Sequence, residues 1–193
     1  NLLEGRGFDF FAGVPCSLVE DLIAVLENHP RLPYVAAVRE DVAVDWHGHN
    51  DRGLGLANAI AAAEAGADRL HGTILGIGER VGNCALDQML VNFELFGWSH
   101  WNLQPLSGLC DLVSRAAGVA IPESYPVFGK DAYRTQTGVH AAAILKARAK
   151  GHDWLADRVY SGIPAAMVGR RQEVEVGPMS GQANVTCWLQ ERG

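Results

Sequence analysis

No CxxC pair occurs in this chain, whose four cysteines (Cys16, Cys84, Cys110 and Cys187) lie far apart. That absence excludes a zinc ribbon and gives no disulfide framework to read. No apolar run is long enough to cross a bilayer, no leader-like segment opens the chain, and no polybasic stretch marks a membrane or nucleic-acid surface. Neither a nucleic acid nor a membrane is therefore expected as a partner, and the cytoplasm is the expected compartment. The net charge is -6 with acidic and basic residues interspersed, so an anionic ligand needs local positive charge or a metal. No repeat or low-complexity tract is visible. Asn1 stands where a Met is usual, which reads as a fragment.

The 193 residues are 48% hydrophobic and 20% charged, an ordinary globular balance with enough length for a core. Residues 8–13 (FDFFAG) read as a buried strand. Ser17 with Glu20 forms a capping-box pattern ahead of the amphipathic run LVEDLIAVLEN. PYVAAVRE (33–40) reads as a second strand and VAVDWHGH (42–49) as a third. An Ala-rich helix (54–68) comes next, capped by Asn50 or Asp51 and stopped at Gly66. RLHGTILG (69–76) predicts another strand, GIGERVGN a Gly-rich loop, and 85–96 a helix ending at Gly97. Beyond residue 103 the pattern is mostly helical (103–117, 137–150, 153–159), with a Gly/Pro-rich stretch at VEVGPMSGQAN. Strands alternating with helices predict an α/β fold. An eight-unit barrel needs roughly 200–250 residues, so the expectation is a partial TIM-barrel-type array of βα units, followed by a mainly helical C-terminal subdomain.

Two stretches carry chemistry. His47 and His49 stand two apart on a predicted strand, so both imidazoles point to one face and can reach one cation. A polar surface turn is the plainer reading of the spacing alone. In HGTILGIGERVGN (71–83) the glycines let backbone approach a ligand, and Asn83 offers an amide oxygen as a hard metal ligand. Glu79 and Arg80 are expected to pair and brace this loop.

Together, HGHNDRGLGLANA…AEAGADRLHGTILGIGERVGN resembles the signature of the α-isopropylmalate synthase, homocitrate synthase and hydroxymethylglutaryl-CoA lyase superfamily. TQTGVHAAAILKA (135–147) resembles the helical-subdomain motif of its synthase branch. YSGIPAAMVGRRQEVEVGPMSGQANV (160–185) is similar to homocitrate-synthase-like and phosphonomethylmalate-synthase-like members. The resemblance runs over 45–193 and implies condensation of acetyl-CoA, as co-substrate, with an α-keto acid on a divalent metal (Mg2+, Mn2+ or Zn2+). It implies His47 and His49 as metal ligands, Asn83 as a ligand or near-ligand, and His140 as an acid/base from the helical region, often supplied across a homo-oligomer. Arg170 and Arg171 are candidates for a phosphonate-bearing substrate, a solvated Arg pair being the plainer reading.

One motif of that family is missing. Its barrel opens with an Arg-Asp-Gly segment whose Asp is a further ligand, and no RDG occurs here. In its place GFDFFAGVPCSLVEDLIAVLE…YVAAVREDVAV (7–44) resembles the start of phosphonopyruvate decarboxylases, thiamine-diphosphate enzymes in which a Glu matching Glu40 contacts the cofactor. The diphosphate site of those enzymes lies in a later domain without a counterpart here, which counts against that cofactor. The organisation expected is thus 1–44 decarboxylase-like, 45–100 late barrel units, and 101–193 helical. The leading function is the condensing enzyme. A decarboxylase fragment and a non-catalytic fused remnant are the alternatives.

Overall fold

The computed structural model describes residues 43–192 and the backbone of Phe11–Gly13 and Tyr34–Ala36. The helix expected after Ser17, together with Cys16 and Glu40, lies outside the described residues. The chain divides into two compact units, Asn1–Met89 and Leu90–Gly193.

In the first unit, β1 (Phe11–Gly13) pairs in parallel with β2 (Tyr34–Ala36), and β3 (Asp45–Trp46) pairs in parallel with β4 (Arg69–Leu70). Between β3 and β4 runs α1 (Gly55–Glu64), so this is a strand–helix–strand crossover with the connection that parallel pairing demands. Leu54 occupies the cap position of α1, but the cap itself comes from Asn50, whose Oδ1 accepts the Gly55 N–H at 3.0 Å. The helix ends at Glu64 with Ala65 as its C-cap, and Gly66 comes next at φ +93°.

The strand expected at 69–76 stops after two residues. The chain instead turns through a 3-10 segment, Ile74–Gly76, in which Leu75 takes φ +60°. The reason is Asp87, fully buried in the first turn of α2 (Leu86–Leu95), whose Oδ1 accepts the Leu75 N–H at 2.6 Å. A charge-assisted bond to one amide outweighs the β-preference of a short apolar run. Of the strand expected at 42–49, the described residues 43–49 are regular only over Asp45–Trp46, with an isolated bridge further on between His49 and Asn83.

The second unit is built on helices α3 (Leu106–Ala117), α4 (Gly138–Ala149), the short α5 (Asp153–Ala156) and α6 (Gln182–Arg192). One further parallel pair joins β5 (Arg134–Thr135) to β6 (Glu173–Val174). On α4, Ala141, Ile144 and Ala147 recur every third residue and form the buried face. They pack with Ala156, Val174 and Cys187 as the core of this unit. Helix α5 is shorter than the expected 153–159, because Asp157 beyond it turns its carboxylate to the N–H groups of Ala165 and Ala166, both at 3.1 Å. Among the described residues all sheets are two-stranded, and no helix is long and apolar enough to cross a membrane.

Ile144 is 1% exposed at the centre of this core, whereas Leu112 is 55% exposed. Ile144→Ala is expected to cost about 2–5 kcal/mol and Leu112→Ala less than about 0.5 kcal/mol, read as urea unfolding midpoints.

Candidate functional site

The first unit brings three of the sequence-predicted site residues to one place. Past the end of β3, His47 and His49 turn to the same side, with Nε2 atoms 3.2 Å apart and ring centroids 5.0 Å apart. The returning loop lies alongside in antiparallel sense. Cys84 donates its N–H to Gly48 O at 3.1 Å and Asn50 donates to Gly82 O at 2.9 Å. This bridge sets Asn83 beside His49. Asn83 Oδ1 and His49 Nδ1 are both buried without a hydrogen-bond partner. Burying Asn83 Oδ1 unsatisfied costs about 1–3 kcal/mol, which a cation beside it would offset; His49 Nδ1 is the ring nitrogen turned away from His47 and would not meet the same cation.

The donor set fits a cation. Two nitrogens sharing one metal at about 2.1 Å stand roughly 3.0–3.4 Å apart, and the observed spacing lies inside that range. The two imidazoles and one amide oxygen make a mixed set; among the described residues no group of three His, Cys, Asp or Glu side chains gathers around a common point.

The loop's glycines have separate tasks. Gly82 has φ +90°, and a Cβ there would stand 2.0 Å from Gly76 O. At Gly78 a Cβ would meet Asn83 Nδ2 at 2.5 Å, so its absence makes room for the amide. Arg80 braces the loop, but its chief partner is not the expected Glu79, which is 3.7 Å away. Arg80 instead donates twice to the Asp51 carboxylate, at 2.8 and 3.1 Å, and thereby holds Asp51 below the usual carboxylate range. Asp51 is thus occupied by Arg80, which leaves the capping of α1 to Asn50.

His71 was not singled out by sequence reasoning. Its ring lies 6.0 Å from that of His47, and its Nε2 is 3.5 Å from Asp45 Oδ2. The signal was available: in the parallel register Trp46 faces Leu70, so the next pair along is His47 and His71.

The remaining candidates belong to the second unit. His140, half-buried on α4, places Nδ1 3.3 Å from Thr135 Oγ1 and stacks on Tyr160 with centroids 3.8 Å apart. Arg170 is committed to structure, donating to Phe128 O at 3.3 Å and lying over the Tyr133 ring. Arg171 is exposed. Both arginines line a cleft of about 170 Å³ with Arg148, Asp153, Asp157 and Gln172. Its charges are mixed, so it is not a purely cationic cradle.

Residues 22–113 match the HMGL-like family model. The chain belongs to the HMGL-like family. The match begins upstream of residue 45, within the segment expected to be decarboxylase-like, and the decarboxylase likeness itself is not shown. This HMGL-like chain is 35% identical to homocitrate synthase AksA of Methanopyrus kandleri over 177 residues, covering 90% of this chain and 42% of that protein. It is 33% identical to homocitrate synthase of Pyrococcus horikoshii over 153 residues, covering 79% and 40%. With (R)-citramalate synthase of Aquifex aeolicus it shares 34% over 158 residues, covering 80% and 28%. The chain spans less than half the length of these relatives.

Gly82→Ala is expected to destabilise the first unit by more than about 1 kcal/mol, through both φ and the collision with Gly76 O, and to lower its urea midpoint. In the second unit, Tyr133 is pushed up to about 12, chiefly by burial, with Arg170 opposing and Asp157 adding. A raised phenol contributes stability that is whole below its ordinary value near 10 and is lost as pH rises through about 12. At a pH of about 11 the folded chain should show less phenolate absorbance than the unfolded chain, and Tyr133→Phe should narrow that gap.

Proposed function

We propose that this chain carries part of a condensing site in which acetyl-CoA adds to an α-keto acid. His47, His49 and Asn83 would hold a divalent metal (Mg2+, Mn2+ or Zn2+). When bound, that metal would supply Lewis acidity to the keto oxygen. His140 would move the proton, at the acetyl methyl or at the forming hydroxyl. Its Nδ1 faces Thr135, which leaves Nε2 for exchange. Tyr160, stacked on the ring, limits its rotation.

The observation that carries the reading is the convergence of the two Nε2 atoms beside the buried, unpartnered Asn83 Oδ1. It is supported by relatives named homocitrate and citramalate synthases. In this reading β3, α1 and β4 belong to a partial TIM-type barrel, and the residues beyond 100 form the helical subdomain. A phosphonate-bearing keto acid such as phosphonopyruvate is the favoured substrate, drawn from the resemblances of residues 1–44 and 160–185. Of the two arginines offered to it, Arg171 is the exposed one. Assembly as a homo-oligomer is part of the same proposal.

The test has two parts. Mn2+ added to the folded chain should bind, seen as loss of the free-ion paramagnetic resonance signal, and His47→Ala or Asn83→Ala should weaken binding at least ~10-fold. With acetyl-CoA, Mn2+ and a panel of keto acids, free thiol should appear, and His47→Ala should abolish it. Bound metal with no thiol released from any keto acid would leave the non-catalytic remnant instead.

A further inference from the structure

The β5–β6 pair is only two residues long on each strand, so its ladder runs out at once. The next carbonyls, Gln136 O and Glu175 O, are taken over by side chains from just before α6 and from its first turn. Asn184 Nδ2 donates to Gln136 O at 3.1 Å and to Glu175 O at 2.9 Å. Ser180 Oγ lies 2.8 Å from Gln136 O and 3.3 Å from Glu175 O, and it accepts the Gly177 N–H at 2.9 Å. Asn184 Oδ1 closes the loop by accepting the Gly181 N–H at 3.1 Å. Asn184 is 0% exposed, so its amide is a fully satisfied buried group of the kind that fixes one conformation.

The same clamp adjoins the residues that flank His140. Gln136 comes directly after Thr135, whose hydroxyl meets the His140 ring, and precedes the start of α4. Gly138, the first residue of α4, donates its N–H to Met179 O at 3.1 Å. Its Cα hydrogens pack so closely that a Cβ would stand 2.9 Å from Gly181 N. Both the ring contact and the helix start that place His140 are therefore tied to the 177–184 segment.

We propose that Asn184, aided by Ser180, is a positioning residue for His140: it holds the end of β5 and the start of α4 so that the imidazole keeps its contacts with Thr135 and Tyr160. As a functional statement this rests on the role given to His140 under the condensing reading. Without the clamp the two carbonyls lose their donors and the histidine loses its fixed ring orientation, while the Ile144 core is left in place.

Nuclear magnetic resonance of the full chain tests this without needing turnover. Asn184→Asp keeps the shape but removes both amide donations, and Ser180→Ala, at a half-buried position, gives a second variant should the first not fold. The expected result is a changed imidazole nitrogen pattern for His140 and loss of its ring contacts with Tyr160, with the Ile144 methyl shifts unmoved and Ser180→Thr restoring the parent spectrum. Unchanged His140 signals in a folded variant would overturn the proposal. So would Ile144 shifts as large as those of His140, since the role would then be general to the fold. A moved His140 signal in a chain that releases no thiol in any form would sink the condensing reading and leave the positioning intact.

Discussion

Two backbone hydrogen bonds, Asn50 N–H to Gly82 O and Cys84 N–H to Gly48 O, hold the end of β3 against the returning loop, and the candidate site depends on them. They are what puts an asparagine 34 residues downstream beside His49. Each contributes only about 1 kcal/mol net, but they are short-range and directional, so the side chains they carry inherit their precision. The loop can make them only because Gly82 adopts φ +90° and lies against Gly76 O with no room for a side chain. Arg80 and Asp51 clip the same two segments from outside. That pair is about half exposed and so adds little energy, which leaves the backbone bridge as the principal tie.

The second unit solves a related problem differently. Its β5–β6 ladder is too short to order the residues beyond it, and side-chain amide and hydroxyl groups extend it. In the first unit backbone places side chains, whereas in the second, side chains place backbone. This difference explains why glycines crowd the 76–82 loop, and why a buried asparagine occupies the helix face that would otherwise take an aliphatic residue.

How much was legible in the residues alone depends on the range of each interaction. His47 and His49 were legible because strand geometry puts residues two apart on one face, a purely local rule. Helices α1 to α4 were legible from caps, breakers and apolar spacing, as Gly66, Gly97 and Gly118 show at positive φ. Helix α6 was not, since it buries only Asn184 and Cys187 and leaves Val185 and Leu189 exposed, so no apolar stripe advertises it. The strand expected at 69–76 failed for a non-local reason, the Asp87 carboxylate twelve residues on from Leu75. His71 needed the register between two strands, and the Asn184 clamp needed contacts up to 48 residues apart.

A folded chain gains nothing by burying Asn83 Oδ1 and His49 Nδ1 without partners, and the missing side chain at Gly78 serves to admit the Asn83 amide. A loop serving only as a βα connection would be under no such constraint, since a solvent-facing amide tolerates a Cβ at its neighbour. The cost thus falls on two adjacent residues, His49 and Asn83, and of their two atoms it is Asn83 Oδ1 that a cation at the histidine Nε2 atoms would engage. A merely polar turn would distribute its unsatisfied groups toward water. These energetic grounds for the proposed site lie in the residues themselves and not in any family likeness.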